Sequence, residues 1–507
     1  MHLKKFIDTY RIVIGSCVLI SIVYFLSRII NLTDLPIFTD EAIYIRWAQI
    51  GSYDAAWRFI SLTDGKQPLF VWFMMATVRM FDDPLFAGRI VSVGAGFCTM
   101  VGMWFLGWQL FKNYRIGLFA SLLYLISPFS LMYDRMALMD SLVAMFSVWS
   151  LSGAVILVKT LRLDVAILLG MCLGGAVLTK TSGFLNLYLL PVTGVLFSLK
   201  EKPLARRFFR WIGLAMVAVI LSQIYYSILR LSPWFHMIGI KDTTFVWTIP
   251  ETIPRPFRFL IGNLNGELDW LITYLTLPIV MLITFSLASI RSSTREKILL
   301  FLWFFIPLIG LAIFGKVLYP RFVLFMSMPL LVLAAWSLDW ILSRIKSTSV
   351  KIAVIVCFLI YPLYVDSKIL FSIVTAPIPQ SDLGQYVNDW PSGWGIREVV
   401  EVLKKEAHDG QIVVFTEGNF GLLPAGIEIY LVGNHNIHIV GLWPPPATYT
   451  EEMVQAVKTL PTFYISNQFE YPPQEWNVEE VVAYPKGNHP RRTLRLYRLH
   501  AVGSDLP

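Results

Sequence analysis

The sequence predicts a polytopic α-helical membrane protein that ends in a soluble α/β domain. Hydrophobic residues make up 56% of the chain and charged residues only 15%, whereas a soluble chain carries about 25% charge. The apolar residues form long stretches separated by short basic clusters, and the stretches shorten only after residue 372. The formal charge of +8 comes from such clusters, as the positive-inside rule produces them. We therefore expect contacts with membrane lipids and no nucleic-acid partner.

About eleven apolar stretches are long enough, or nearly so, to cross a bilayer as helices. Their ranges are 12–31, 85–111, 116–133, 140–158, 163–179, 183–199, 211–230, 270–290, 298–314, 321–342 and 350–372. If the N-terminus is cytoplasmic, the basic clusters between them all lie on the inner side. We therefore expect a multi-pass protein of the plasma or inner membrane, with a cytoplasmic N-terminus and its C-terminal domain outside.

This orientation requires that the apolar segment from Pro68 to Phe81 does not cross the membrane. A helix of about 14 residues spans only ~21 Å, which is short of the ~30 Å hydrocarbon core. If the segment did cross, every later basic cluster would move to the outer side. We therefore place it as a juxtamembrane helix of the first outer loop, in or along the outer leaflet.

Composition divides the chain into a membrane domain, residues 1–372, and an exported soluble domain, residues 373–507. Residues 375–380 read as a linker, and residues 397–407 have a helical pattern. The second part is large enough to form its own core. Short runs rich in β-branched and aromatic residues predict strands at 411–416, 437–440, 462–465 and 493–497.

Asp40 and Glu41 lie a few residues after the first apolar stretch, where no span needs them to insert or pack. On the predicted topology, other charged side chains reach the same outer face from distant loops. A carboxylate there can act as a general base, while Arg and Lys can hold a phosphate and stabilise it as a leaving group. The combination favours transfer from a lipid-phosphate donor. The charged residues that reach this face include Lys66, Arg135, Asp140, Lys180 and Arg321.

Each of these residues also has a simpler interpretation. Lys180 could extend to lipid headgroups, and Asp140 could be a charge favoured at a helix N-terminus. For the whole chain, the alternative function is a transporter or flippase of lipids or glycolipids, and another is an envelope scaffold without catalysis. Transporters place charges near the midplane on broken helices, whereas these charges concentrate in outer loops. A scaffold would not require them together.

Several short segments stand in order along roughly the first 340 residues and together resemble the motifs of one family. They are Phe38–Tyr44, Lys66–Leu69, Arg89–Ser92, Tyr133–Asp140, Leu178–Lys180 and Tyr319–Leu324. The first resembles an Asp-Glu loop motif with a Tyr three residues after the Glu. The second resembles a Lys-Pro-Pro-Leu element. The family is that of the GT-C membrane glycosyltransferases, in particular the bacterial relatives of protein O-mannosyltransferases and lipid A aminoarabinose transferases.

The resemblance implies inverting transfer of a hexosyl or pentosyl group from a polyprenyl-phosphate-linked donor to an acceptor hydroxyl on the outer side. The acceptor would be a protein, a glycolipid or a wall polymer, and the sequence does not distinguish them. Asp40 would be the catalytic base. The donor phosphate would be held by Lys66, Arg135 and Arg321. The residues that position the sugar or the acceptor would be Glu41, Tyr44, Asp140 and Tyr319.

The sequence departs from the family beside Lys66. Gly65 stands where the aminoarabinose transferases have Glu, so a metal site that uses this acidic residue has no support here. Many members of the group need no metal, and we expect no required cofactor, although a divalent metal stays open. All four cysteines lie in apolar stretches without a close pair, and no His/Cys cluster has the spacing of a zinc site.

Overall fold

The structure is a computed structural model that describes residues 2–289, 292–489 and 491–501. Helices make up most of the first part of the chain. In order they are α1 His2–Ile29, α2 Thr39–Tyr53, α3 Leu69–Thr77, α4 Pro84–Phe111, α5 Tyr114–Leu125, α6 Pro128–Asp134, α7 Met139–Thr160, α8 Leu163–Thr179, α9 Phe184–Tyr188, α10 Leu204–Ser227, α11 Met237–Phe245, α12 Ile249–Thr252, α13 Leu260–Ala288, α14 Thr294–Phe314, α15 Arg321–Arg344 and α16 Thr348–Phe371.

Seven of the described helices are long and apolar enough to cross a membrane, namely α4, α7, α10 with its continuation to Leu231, α13, α14, α15 and α16. The bent pair α5 and α6 makes an eighth candidate. The predicted spans 12–31, 163–179 and 183–199 correspond to the shorter apolar helices Val13–Ile29, Leu163–Thr179 and Thr181–Leu196. The polytopic helical class is therefore confirmed, while the count of about eleven crossings stays a prediction. Residues 290 and 291, part of a predicted span and basic cluster, lie outside the described residues.

Two breaks in the membrane helices have identifiable causes. Pro128 begins α6, which is bent by 61° from α5, because the ring of proline fits the first turn of a helix but cannot continue one. Helix α13 is interrupted at Thr276, whose φ of 66° lies two residues before Pro278. The sequence predicted each segment as one uninterrupted span.

Helix α15 is the central membrane helix. It packs against α13, α5, α7 and α14, and nearly all of its apolar window is buried. Its first residue is Arg321, so the most enclosed helix of the bundle begins with a charged side chain. Helix α3 is nine residues long. A helix of that length rises only ~14 Å, which agrees with the expectation that residues 68–81 do not cross.

The C-terminal part contains the strands β1 Ile412–Glu417, β2 Ile437–Leu442, β3 Thr462–Ser466, β4 Val478–Pro485 and β5 Thr493–Leu499. They form one sheet in the order β2-β1-β3-β5-β4. Strand β1 pairs in parallel with β2 and β3, and β5 pairs antiparallel with β3 and β4. The four predicted strands are present, and β4 was missed because none of its residues is buried. The helices of this part are α17 Gln380–Leu383, α18 Ile396–Glu406, α19 Leu422–Glu428 and α20 Glu451–Thr459.

The sheet part and the helical part share one hydrophobic core. Helix α19 packs on α2, and Phe38, Tyr44, Tyr386 and Leu422 belong to the same buried cluster. At the edge of this contact, Arg46 Nε donates to Glu428 at 2.9 Å. The C-terminal part is therefore packed directly on the helix that begins beside Asp40. The division at residue 372, one residue after α16 ends, stays a prediction from composition.

Candidate active site

The start of α2 places Asp40 at the centre of a charged cluster. The Thr39 amide donates to Pro391 O at 3.0 Å, and the Phe38 amide donates to Glu41 Oε2 at 2.9 Å. These bonds satisfy amides that a helix leaves without partners in its first turn. Asp40 is thereby held at a helix start with 20% of its side chain exposed.

Two cations from distant parts of the chain contact the Asp40 carboxylate. Lys66 Nζ lies 3.3 Å from Oδ1, and Arg321 Nη2 lies 3.3 Å from Oδ2. The Lys66 ammonium also donates to Tyr44 Oη at 2.8 Å. The structure therefore brings together four predicted site residues, namely the base, two of the phosphate-binding residues and Tyr44.

The glycine before Lys66 has a structural reason. Gly65 has a φ of 68°, in the left-handed region that glycine adopts easily. A Cβ at this position would lie 2.3 Å from the carbonyl oxygen of Met237. A glutamate at residue 65 would therefore be both strained and obstructed. Asp64 contacts Lys241 at 2.7 Å and lies 4.0 Å from Lys66.

Arg321 is held by residues from both parts of the chain. Its guanidinium lies over the Tyr319 ring at 4.4 Å, and its Nη1 donates to Gln385 Oε1 and Tyr386 Oη, both at 3.0 Å. The predicted site residue Tyr319 is thus part of the cluster, where its ring faces the guanidinium. Gln385 and Tyr386 come from the C-terminal part.

A second ion pair adjoins this group. Lys180 Nζ lies 2.7 Å from Asp140 Oδ1, and its ammonium lies 4.3 Å from the centre of the Phe322 ring. Lys180 is close enough to interact electrostatically with Arg321 and Lys66. Asp140, a predicted site residue, is therefore in the cluster, and it brings a cation that the predicted phosphate-binding set did not include.

The electrostatics keep Asp40 ionised. Burial alone would raise the pKa of its carboxyl, but the charges of Lys66 and Arg321, with the hydrogen bond from Lys66, outweigh burial and lower the pKa below its ordinary value. An ionised carboxylate at the edge of the protein can accept a proton from a neighbouring hydroxyl. The surrounding cations can bind an anionic group.

Arg135 is not in this cluster. Its Nη1 donates to the carbonyl oxygens of Ser27, Arg28 and Ile30, and its Nη2 donates to that of Asn31. A helix leaves its last carbonyls without hydrogen-bond donors, and the Arg135 guanidinium supplies those donors at the end of α1. These bonds occupy the guanidinium and give Arg135 a structural role at this helix end. Its expected role in phosphate binding stays a prediction.

Glu41 also differs from the expectation that it positions sugar or acceptor. Its side chain and that of Arg89 are fully buried and form an ion pair at 2.7 Å. The same carboxylate accepts from the Phe38 amide at 2.9 Å and the Ala137 amide at 2.6 Å. It therefore holds α2 against α4.

Several functional neighbours were missed. Asp382, Gln385 and Tyr386 lie beyond the predicted linker, in a segment without a recognisable motif. The Asp382 carboxylate accepts from Tyr133 Oη at 2.5 Å and from Tyr274 Oη. The sequence did point to Lys180, because Leu178–Lys180 is one of the segments that resemble the family motifs. Within the described ranges, no group of three His, Cys, Asp or Glu side chains could hold a metal ion.

Comparison with known proteins supports the fold. Residues 65–226 match the family model for dolichyl-phosphate-mannose-protein mannosyltransferase, which is about a third of the chain. The crystal structure of ArnT from Cupriavidus metallidurans in the apo state has a TM-score of 0.61 at 13% identity, covering 98% of this chain and all of that one. The same protein bound to undecaprenyl phosphate gives 0.59 at 12%, again over 98% of this chain and all of that one.

The archaeal oligosaccharyltransferase AglB from Archaeoglobus fulgidus, in complex with an inhibitory peptide and a dolichol-phosphate, gives a TM-score of 0.52 at 11% identity. The match covers 91% of this chain and 70% of AglB. No curated protein sequence matches the chain. The protein has the fold of the GT-C membrane glycosyltransferases. Within that fold, residues 65–226 are similar to the protein mannosyltransferase family model.

Proposed function

We propose that this protein transfers a monosaccharide from a polyprenyl-phosphate-linked donor to an acceptor hydroxyl, with Asp40 as the general base. The observation that carries the proposal is the contact of one carboxylate with Lys66 and Arg321, each at 3.3 Å and each from a different part of the chain. The fold and the family-model match agree with it. The related structures with undecaprenyl phosphate and dolichol-phosphate support a lipid-linked donor.

The donor phosphate would take the place of Asp40 on the cations. Arg321 offers a planar guanidinium suited to phosphate oxygens, while Lys66 offers a point charge. Lys180 is the third cation within electrostatic range. When these charges turn to the phosphate, they no longer lower the pKa of Asp40 as strongly. Binding of the donor would therefore make Asp40 a stronger base when the acceptor needs one.

The transfer step then has a simple balance. The acceptor oxygen forms a bond to the anomeric carbon while its proton passes to the Asp40 carboxylate. The bond between that carbon and the phosphate oxygen breaks, and the electron pair stays on the polyprenyl phosphate. Lys66 and Arg321 stabilise the charge that develops on this leaving group. Attack opposite to the leaving group inverts the anomeric centre.

We place this reaction at the outer side of the plasma or inner membrane, as the basic clusters of the sequence predict. The acceptor would be a protein, a glycolipid or a wall polymer. The division into a membrane domain to residue 372 and an exported domain after it belongs to the same proposal. Metal independence does too, since the chemistry above uses only Asp40 and the cations.

Binding of polyprenyl phosphate to the purified protein tests the phosphate site. Arg321→Lys keeps the charge but loses the planar fork, and we expect the Kd to rise about tenfold or more. Arg344→Lys, at the other end of α15, is the matched control because Arg344 stacks on Trp340 away from the cluster. An unchanged Kd for Arg321→Lys, with normal transfer, would remove Arg321 from the phosphate site.

A further inference from the structure

Residues 382–393, which we call the strap, contact the site-bearing end of the membrane helices. Asp382 accepts from Tyr133 and Tyr274, and Tyr386 Oη accepts from Arg321 at 3.0 Å. Further along, Pro391 O accepts from the Thr39 amide at 3.0 Å and from Thr39 Oγ1 at 3.1 Å. The strap therefore contacts both Arg321 and the residue that precedes Asp40.

The opposite side of the strap is held by a buried lysine. Lys486, with no exposed surface, donates from Nζ to Trp390 O at 3.2 Å, to Ser392 O and to Asn467 Oδ1. Asn467 Nδ2 donates to the same Trp390 oxygen at 3.0 Å. The ammonium thus joins the loop after β3 to the two carbonyls on either side of Pro391.

Most hydrogen bonds of the Lys486 side chain go to the strap. Burial of an ammonium is unfavourable unless it is paired, and Lys486 forms no ion pair within 4.0 Å with the part of the chain that the structure describes. Burial also lowers the pKa of Lys486 to about 7. Three oxygen acceptors and the charges of Asp389 and Glu417 offset this burial. Two of the three acceptors belong to the strap. Its contacts therefore fix the strap more than they fix the sheet.

The path from Lys486 to the base is short. The ammonium fixes the carbonyls of residues 390 and 392, the carbonyl between them accepts from Thr39, and Thr39 is followed directly by Asp40. The Gly393 amide adds a bond to Ile37 O at 2.7 Å. We propose that Lys486 is a positioning residue that acts through the strap on Asp40, so that the C-terminal part completes the active site.

This inference deepens the proposed function and rests on it. The strap touches the site at two places, because Lys486 fixes the end that touches Thr39 whereas Tyr386 touches Arg321. Loss of Lys486 should therefore affect the base more than the phosphate site. A displacement of about 1 Å at a reacting group can lower the rate about 100-fold.

The test is Lys486→Met, which keeps the length of the side chain and leaves three oxygen acceptors without the ammonium. The matched control is Lys458→Met on α20, where the lysine is exposed. We measure transfer per polyprenyl-phosphate-binding site. Lys486→Met should lower this kcat about 10- to 100-fold and leave the Kd of polyprenyl phosphate unchanged. A role confined to stability would reduce binding sites and turnover together, and that result would overturn the proposal.

Hydrogen exchange gives a second readout that does not depend on catalysis. Lys486→Met should speed exchange of the amides of residues 37–42, while β1 and β3 stay protected as in the control. If exchange of these amides is unchanged, the positioning role is wrong even where transfer is lowered. If it rises but the native protein transfers no sugar from any polyprenyl-phosphate donor, the proposed function fails and the positioning contact stands.

If Lys486→Met does not fold, Thr39→Val tests the same path from its other end. It removes the 3.1 Å bond from Thr39 Oγ1 to Pro391 O and keeps the amide bond. The expected result is again a lower kcat per binding site with an unchanged Kd. Equal kcat in Thr39→Val and the native protein would overturn the proposal.

Discussion

Glu41→Gln should destabilise the protein without removing its catalytic base. Each carboxylate oxygen of Glu41 accepts two hydrogen bonds. Oε1 accepts from Arg89 and the Ala137 amide, and Oε2 accepts from Arg89 and the Phe38 amide. A glutamine in either orientation would place its NH₂ against two of these donors. Removal of one partner from a buried ion pair costs about 3–5 kcal/mol, and this pair is fully buried.

Thermal unfolding in detergent measures this effect. The matched control is Asp164→Asn, which also converts a carboxylate into an amide within an Arg pair, but whose side chain is 57% exposed. An exposed pair contributes little to stability, so the control should melt close to the native protein. We expect Glu41→Gln to melt clearly lower while its folded fraction still transfers sugar. A variant that is as stable as the native protein, or folded but inactive, would refute this account of Glu41.

Two further predictions concern the cations. Lys66→Met removes the charge that most lowers the pKa of Asp40, so the pKa of Asp40 should rise. Because the base must be ionised, the acidic limb of the pH profile of kcat/KM should move to higher pH. A profile that stays in place would contradict the pairing of Lys66 with Asp40. Arg135→Met leaves the carbonyls at the end of α1 without their donor and should lower stability by about 1–3 kcal/mol, with an unchanged Kd for polyprenyl phosphate; weaker phosphate binding at normal stability would return Arg135 to the site.

The helical class could be predicted because long apolar stretches have few other stable arrangements in lipid. The breaks at Pro128 and Thr276 were harder, since a break within a span leaves its hydrophobicity unchanged. Strand β4 was missed because its pattern of exposure is not that of a typical strand. Its exposed side chains lack the buried alternation by which a strand is recognised.

Part of the charged cluster was predicted because a membrane span does not need charged residues beside it in order to insert or pack. The same argument placed Glu41 and Arg135 in the site, although both serve the structure. A sequence does not show whether a charged group faces a ligand or satisfies backbone atoms, because the partners of Arg135 are carbonyls that every residue carries. Tyr386 was missed because a tyrosine in a loop becomes a site residue only through tertiary contact with Arg321.

The most direct test of the central claim is the activity of Asp40→Asn with a polyprenyl-phosphate-linked sugar. The amide keeps the shape of the side chain and removes its basicity, and loss of a general base lowers the rate about 10²–10⁴-fold. Polyprenyl phosphate should bind at least as tightly as to the native protein, because Lys66 and Arg321 lose the carboxylate that competes for them. Near-normal transfer by folded Asp40→Asn would contradict the assignment of Asp40 as the base.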